Sequence, residues 1–323
     1  RFTGAKPVYA DIAPGGYNID PQCVAGAVTP RTRAVLVQHT FGIPGPAAAC
    51  RQIAEPAGAA LIEDCAHALG STHAGHPLGS EGDAAFFSSQ WSKPYTTGLG
   101  GVAVTRDPNL AGRIARVAEG FRQPPAAASA RLSLQYSIYQ QYFSPRLYWQ
   151  AQGILQNFSR FGLFVGSSSQ DELEGEMPPD HTWRMAPGAQ AAGLEQMAGF
   201  GEVLARRRAL AELYDSAMLE AGWEIAPRPS GTSLLRYPIR VANKVNLLEK
   251  ARRARVELGS WFETPLHPTP LAGHAKFGFM LGCYPNAERM AAQVVNLPMH
   301  RWMTESEAQR TLDFFFANAV PAE

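Results

Sequence analysis

Short apolar runs alternate with Ala-rich stretches along the first third of the chain. Pro7–Ile12 (PVYADI), Arg33–Thr40 (RAVLVQHT) and Ala59–Cys65 (AALIEDC) are brief, apolar and bounded by turn residues, which predicts buried strands. Residues 21–28 and 46–57 have helical composition, with Pro21 and Pro46 at first-turn positions. Two further strands are predicted at Ala84–Ser89 and Gly101–Thr105. Strand and helix repeated in this way imply an α/β fold with a mostly parallel sheet covered on both faces. In such sheets the working residues collect at the carboxyl ends of the strands.

Residues 121–180 break that pattern. Nine aromatics fall between Tyr136 and Phe164, and the only charges there are Arg146 and Arg160. Leu147, Ile154, Leu155, Phe158 and Phe161 recur at helical spacing after Pro145. Such a basic, aromatic helix could make a peripheral membrane contact through 136–164. The expectation preferred is a helical hairpin packed on its own domain or on a second subunit, because apolar helical stripes usually face a core. Beyond it, 187–221 predicts one long helix with Arg206, Arg207 and Arg208 on a solvated face. Residues 233–241 predict a strand, and 244–255, 285–294 and 304–317 predict helices, the last with a Thr304–Glu307 capping box. The expected division is a large domain, 1–215, carrying the 121–180 insertion, and a small α+β domain, 216–323.

Composition narrows the function. The 323 residues are 46% hydrophobic and 18% charged, enough for a sizeable core. With 29 basic against 28 acidic residues the net charge is +1, so no long-range field draws in nucleic acid. Cys23, Cys50, Cys65 and Cys283 form no CxxC pair, which argues against a zinc site or a disulfide framework and for a reduced, cytoplasmic compartment. No apolar run approaches the ~20 residues that span a bilayer. The chain opens Arg1-Phe2-Thr3-Gly4 without Met, which suggests a missing N-terminal segment.

The chemistry gathers between Leu61 and Gly101. The third predicted strand ends Glu63-Asp64-Cys65-Ala66-His67, and an acidic residue leaving a buried strand needs a cation or a strong donor. The fourth ends Phe87-Ser88-Ser89-Gln90-Trp91-Ser92-Lys93, followed by Gly98-Leu99-Gly100-Gly101. Alone, Asp64 reads as a helix cap, and Lys93 as a surface lysine. Together, a carboxylate at one strand end with hydroxyls and a lysine at the next suit pyridoxal 5'-phosphate (PLP): a partner for the ring nitrogen, a Schiff-base lysine, and donors to phosphate.

The runs EDCAHALG and GSEGDAAFFSSQWSKPYTTGLGG resemble the DegT/StrS family of PLP-dependent sugar aminotransferases, of the aspartate-aminotransferase fold type I. So do GAKPVYADI with YNIDP, TPRTRAVLVQHTFGIPG, WRMAPGAQAAGLEQM and NLPMH followed by MTESEA, so the resemblance covers nearly the whole chain except 121–180. It implies Asp64 at the pyridine nitrogen, His67 beside the ring, Ser88 on the phosphate, and Lys93 as the Schiff-base lysine and proton carrier. It also implies Thr182 as a phosphate contact made in the partner subunit, and His267 near the sugar-nucleotide site. The implied activity is amino transfer, with glutamate as donor, to a nucleotide-linked keto-sugar in polysaccharide or glycoconjugate biosynthesis. The enzyme would be a cytoplasmic homodimer, with the inner face of the membrane as an alternative setting. Lysine rather than histidine at position 93 favours transamination over the dehydration some relatives perform. A sugar dehydratase, a cyclitol aminotransferase and an inactive interaction protein on the same fold are the alternatives. Three departures stand out. A strand–helix segment with a phosphate loop and a ring-stacking aromatic is expected ahead of Arg1, Thr182 replaces the family's Asn, and Leu99 replaces a Glu.

Overall fold

The computed structural model describes residues 2–142 and 169–322. Its strands are β1 (Ala34–Gln38), β2 (Ala60–Asp64), β3 (Thr72–His73), β4 (His76–Pro77), β5 (Ala84–Ser88), β6 (Gly101–Val104), β7 (Tyr237–Arg240) and β8 (Val294–Leu297). The main sheet has the order β1-β2-β5-β6, with β1, β2 and β5 parallel and β6 antiparallel. The register places Asp64 between Gln38 and Phe86. Because β2 and β5 run the same way, Asp64 and Ser88 emerge at the same edge of the sheet. β3 and β4 make a small hairpin, and β7 and β8 form a separate antiparallel pair.

The first two helices, α1 (Pro21–Ala27) and α2 (Ala47–Ala54), cover one face of β1 and β2. Val24, Val35, Val37, Cys50, Ala54 and Leu61 bury there as one apolar cluster. Asp20 caps α1 by accepting from Gln22 N, and Pro21 takes the first turn, where its missing N–H costs nothing. Then come α3 (Pro108–Glu119), α4 (Ala126–Tyr142), α5 (Gln170–Glu174), α6 (Pro187–Ala198), α7 (Phe200–Glu220), α8 (Lys244–Ala254), α9 (Pro285–Gln293) and α10 (Glu305–Asn318). The largest core joins α7, β7, β8, α9 and α10 through Tyr214, Met218, Tyr237, Ile239, Leu297, Leu312 and Phe315. Phe41 and Ile43, from the loop after β1, enter the same core and tie it to the main sheet. The Thr304–Glu307 capping box is present at the start of α10.

Four expectations need correction. Pro7–Ile12 is not a strand; it makes a single bridge, Ile12 to Ile19. Pro7 offers no N–H to a ladder. The Asp11 carboxylate instead accepts from Asn286 N and Ala287 N at the first turn of α9, at 3.0 and 2.9 Å. The long helix 187–221 breaks at Gly199 into α6 and α7. The four residues of β8, directly after α9, were hidden from the periodicity because too few of them alternate. Arg207 is not on a solvated face. It is 5% exposed and donates to the carbonyls of Leu234, Leu235 and Met299, so it ties the approach to β7 to the exit from β8.

In the insertion, α4 packs Tyr139 against Trp91 and Trp302, with ring centroids at 5.5 and 5.9 Å. The Tyr136 hydroxyl accepts from Gln196 Nε2 at 3.0 Å. This part of the stretch packs on its own chain, while the rest of the expected hairpin lies outside the described residues. Leu147, Ile154, Leu155, Phe158 and Phe161 lie outside the described residues, and so does most of the segment considered for membrane contact. Among the described residues no helix is long and apolar enough to cross a membrane.

Candidate active site

Asp64, His67, Lys93 and His267 converge beside the carboxyl ends of β2 and β5. Asp64 is the last residue of β2, and its Oδ1 accepts from Ala66 N at 2.9 Å. Burial pushes the Asp64 carboxyl up, while the Ala66 N–H and then the charge of Lys93 pull it back. Lys93 follows β5 by five residues, and its own N–H donates to Gln90 O at 3.0 Å, closing a tight turn. Burial drives the Lys93 amine down to about 8; Asp64 opposes this and Arg236 adds to it. An amine at that value is part neutral near pH 8, so it can act both as nucleophile and as proton carrier.

His67 is buried, and its Nδ1 accepts from Phe41 N at 3.2 Å. That bond fixes the neutral tautomer with its proton on Nε2. Burial, and then the charges of Lys93, Arg236 and His267, hold the imidazole well below its usual range. The ring therefore presents a neutral flat face. His267 lies across the same aromatic group, with its ring centroid 5.6 Å from Trp261 and 5.7 Å from Phe262. Burial also lowers its pKa, offset in part by Glu263.

Ser88 ends β5 at the same sheet edge, and its Oγ accepts from Gln90 N at 3.3 Å. Next to it, the Ser89 and Thr97 hydroxyls are bonded at 2.7 Å, and Gly98 folds back alongside Gln90. Gly98 has φ +85°, and a Cβ there would sit 2.8 Å from the Trp91 ring, so both backbone and space require glycine. Thr182 is placed apart from this cluster. It closes the turn Pro179–Thr182, where its carbonyl accepts from Arg122 N at 2.9 Å. A groove of about 1680 Å³ runs between β6, α3, α4 and α6. Its lining holds none of Asp64, His67 or Lys93.

The wall of this site lies outside the residues expected from the sequence. Trp261 stacks on His67 at 5.3 Å and 22°, and the Lys93 ammonium lies 5.5 Å from the indole centroid. The guanidinium of Arg236 covers the indole at 4.3 Å. Phe262 stacks on His67 as well, at 6.0 Å and 16°. The adjacent aromatics Trp261-Phe262, six residues before His267, were the available signal.

The support beneath Asp64 also lies outside the expected residues. Glu63 and His39 are both 0% exposed, and His39 Nε2 donates to Glu63 Oε2 at 2.9 Å. Gly45 N donates to His39 Nδ1 at 2.8 Å, which sets that tautomer. The Glu63 carboxylate accepts three backbone N–H groups as well, from Gly79, Glu81 and Gly82. Burial raises its pKa, but the bonds from His39, Gly82 and Gly79 outweigh that and leave it lowered. Cys65 brings its sulfur within 4.8 Å of these donor atoms. With His39 and the carboxylate already engaged by each other and by backbone, the cluster works as a structural lock on the end of β2.

Residues 1–315 match the sequence profile of the DegT/DnrJ/EryC1/StrS aminotransferase family. The chain belongs to that family. It is 28% identical over 321 residues to the erythromycin biosynthesis sensory transduction protein EryC1 of Saccharopolyspora erythraea, covering 98% of this chain and 74% of that one. An L-glutamine:2-deoxy-scyllo-inosose aminotransferase of Streptoalloteichus tenebrarius is 42% identical over 126 residues, which are 39% of this chain and 30% of that relative. Among solved structures, that of DesI in the presence of its TDP-sugar product superposes with a TM-score of 0.70 at 27% identity, covering 97% of this chain and 69% of DesI. The family membership and the fold expected from the sequence are therefore borne out.

Proposed function

We propose that this protein is a PLP-dependent aminotransferase that moves an amino group from an amino-acid donor, glutamate in the first instance, to a nucleotide-linked keto-sugar. The observation that carries the reading is the buried Lys93 amine, set against Trp261 and coupled by charge to the Asp64 carboxylate and the His67 ring, at the sheet edge where Ser88 emerges. That donor set fits PLP: a carboxylate for a cationic ring nitrogen, an amine for an aldehyde carbon, a neutral imidazole to sit beside the ring, and hydroxyls for a phosphate. When bound, PLP supplies the electron sink that stabilises negative charge at the substrate carbon bearing nitrogen.

Asp64 would hold a protonated ring nitrogen, Ser88 Oγ would donate to the phosphate, and Lys93 Nζ, neutral for part of the time, would serve as the proton carrier at the substrate carbon. The Trp261 ring beside Lys93 excludes water from it and so maintains its low basicity. Thr182 is assigned to the phosphate of a neighbouring subunit in a homodimer, and His267 to the sugar side. A cytoplasmic setting is part of the same reading. A cyclitol ketone is the second acceptor to test, because the inosose aminotransferase relative is 42% identical over the matched region.

The test is an absorbance titration with PLP, then borohydride reduction and peptide mapping, then assays with keto-sugar nucleotides and with inosose. The expected result is a visible band, with the cofactor's mass trapped on Lys93 and lost in Lys93→Ala. A chain that shows neither band nor trapped mass is an inactive scaffold, and the proposal fails.

A further inference from the structure

Trp261 owes its place against Lys93 and His67 to a residue outside the site. Lys244, the first residue of α8, is 7% exposed, and its ammonium is aimed inward. Its Nζ donates to Ser260 O at 3.1 Å, to Phe262 O at 2.8 Å and to Ala291 O at 2.7 Å. Three donors thus meet three carbonyls, the full capacity of an ammonium. Two of those carbonyls flank Trp261 in the chain. The third belongs to the last turn of α9, whose carbonyls lack helical partners and carry negative partial charge. One buried cation therefore clamps the peptide units on both sides of Trp261 to a helix end. The indole, with its backbone fixed, is left to lie between His67 and Arg236.

We propose that Lys244 is a positioning residue of the active site, which acts by holding the Ser260–Phe262 segment so that Trp261 closes over Lys93 and His67. This rests on the aminotransferase reading for its consequence but not for its geometry. Neutral or shorter side chains at 244 leave buried carbonyls unpartnered and free the loop to swing away. Water then reaches Lys93, and its amine becomes more basic.

The experiment measures the Lys93 pKa in the full chain freed of cofactor, by competitive acetylation across neutral and alkaline pH with mass analysis of the Lys93 peptide. It compares wild type, Lys244→Met, Lys244→Arg, Trp261→Phe and the double variant Lys244→Met with Trp261→Phe. Circular dichroism is recorded throughout. Expected are a value near 8 for wild type, a rise of roughly half a unit or more in Lys244→Met and in Trp261→Phe, and recovery in Lys244→Arg. The double variant should match Trp261→Phe alone. A direct charge effect or general loosening would add the same rise in either background, and that additivity overturns the proposal, as does a folded Lys244→Met chain with no rise. Should Lys244→Met fail to fold, Lys244→Gln is read through the same cycle. Because acetylation needs no cofactor, failure to bind PLP would sink the functional reading while leaving this result interpretable.

Discussion

Replacing Glu63 by Gln tests the lock beneath Asp64. The carboxylate receives four hydrogen bonds, from His39 Nε2 and from the N–H groups of Gly79, Glu81 and Gly82, at a position with no solvent exposure. Gln keeps the shape but has only one acceptor oxygen, and its NH2 must face donors on the other side. At least one backbone N–H and one amide hydrogen are then buried without partners, at about 1–3 kcal/mol each. The expected loss is about 2–5 kcal/mol, a large part of the stability of an ordinary domain. Urea unfolding at neutral pH should show a lower midpoint with an unchanged slope.

The sign of the pH dependence follows from the lowered Glu63 pKa. The unfolded chain binds more protons at this site than the folded one as pH falls, so the stabilisation is present above the ordinary carboxylate pKa and is lost as pH drops through the folded value. The gap between wild type and Glu63→Gln should therefore narrow in acid. A Glu63→Gln chain within about 1 kcal/mol of wild type at neutral pH, or a gap that widens in acid, would refute the argument.

Other perturbations reach the remaining parts of the site. Asp64→Asn removes the charge that supports protonated Lys93, so the Lys93 value should fall about one unit further below 8, read by competitive labelling, with PLP trapping reduced. The Lys93 value of about 8 against 10.5 also means that its protonated form costs the fold about 3 kcal/mol. Relative to Lys93→Met, wild-type stability should rise with pH between those two values, and a flat difference would contradict the buried placement. Arg207→Met strands the carbonyls of Leu234, Leu235 and Met299 and should lower the unfolding free energy by about 3 kcal/mol or more; Arg207→Lys should recover part of it. Gly98→Ala should cost about 1–3 kcal/mol because φ is +85° and Trp91 fills the Cβ space, and it should weaken PLP binding by shifting the turn after Lys93.

The sequence by itself determined the strand-and-helix rhythm of the first hundred residues and the placing of Asp64 and Ser88 at strand ends. It also singled out Lys93 as a candidate, because composition, periodicity and short motifs are local properties. The capping box at Thr304 and Glu307 was legible for the same reason: its two partners are three residues apart. Tertiary structure alone decided the rest. Asp11 reads as a strand residue until the first turn of α9, some 275 residues away, offers it N–H groups. Arg207 reads as solvated until the chain brings three carbonyls to its guanidinium. Glu63 looks like a neighbour of Asp64, and only the loop of Gly79 to Gly82 makes it a buried anchor. Trp261 and Lys244 carry no motif; their roles come from long-range contact with His67, Lys93 and α9. A local pattern reports what a residue prefers on its own, whereas the partners that satisfy a buried charge or aim an aromatic ring are supplied by the closure of the fold.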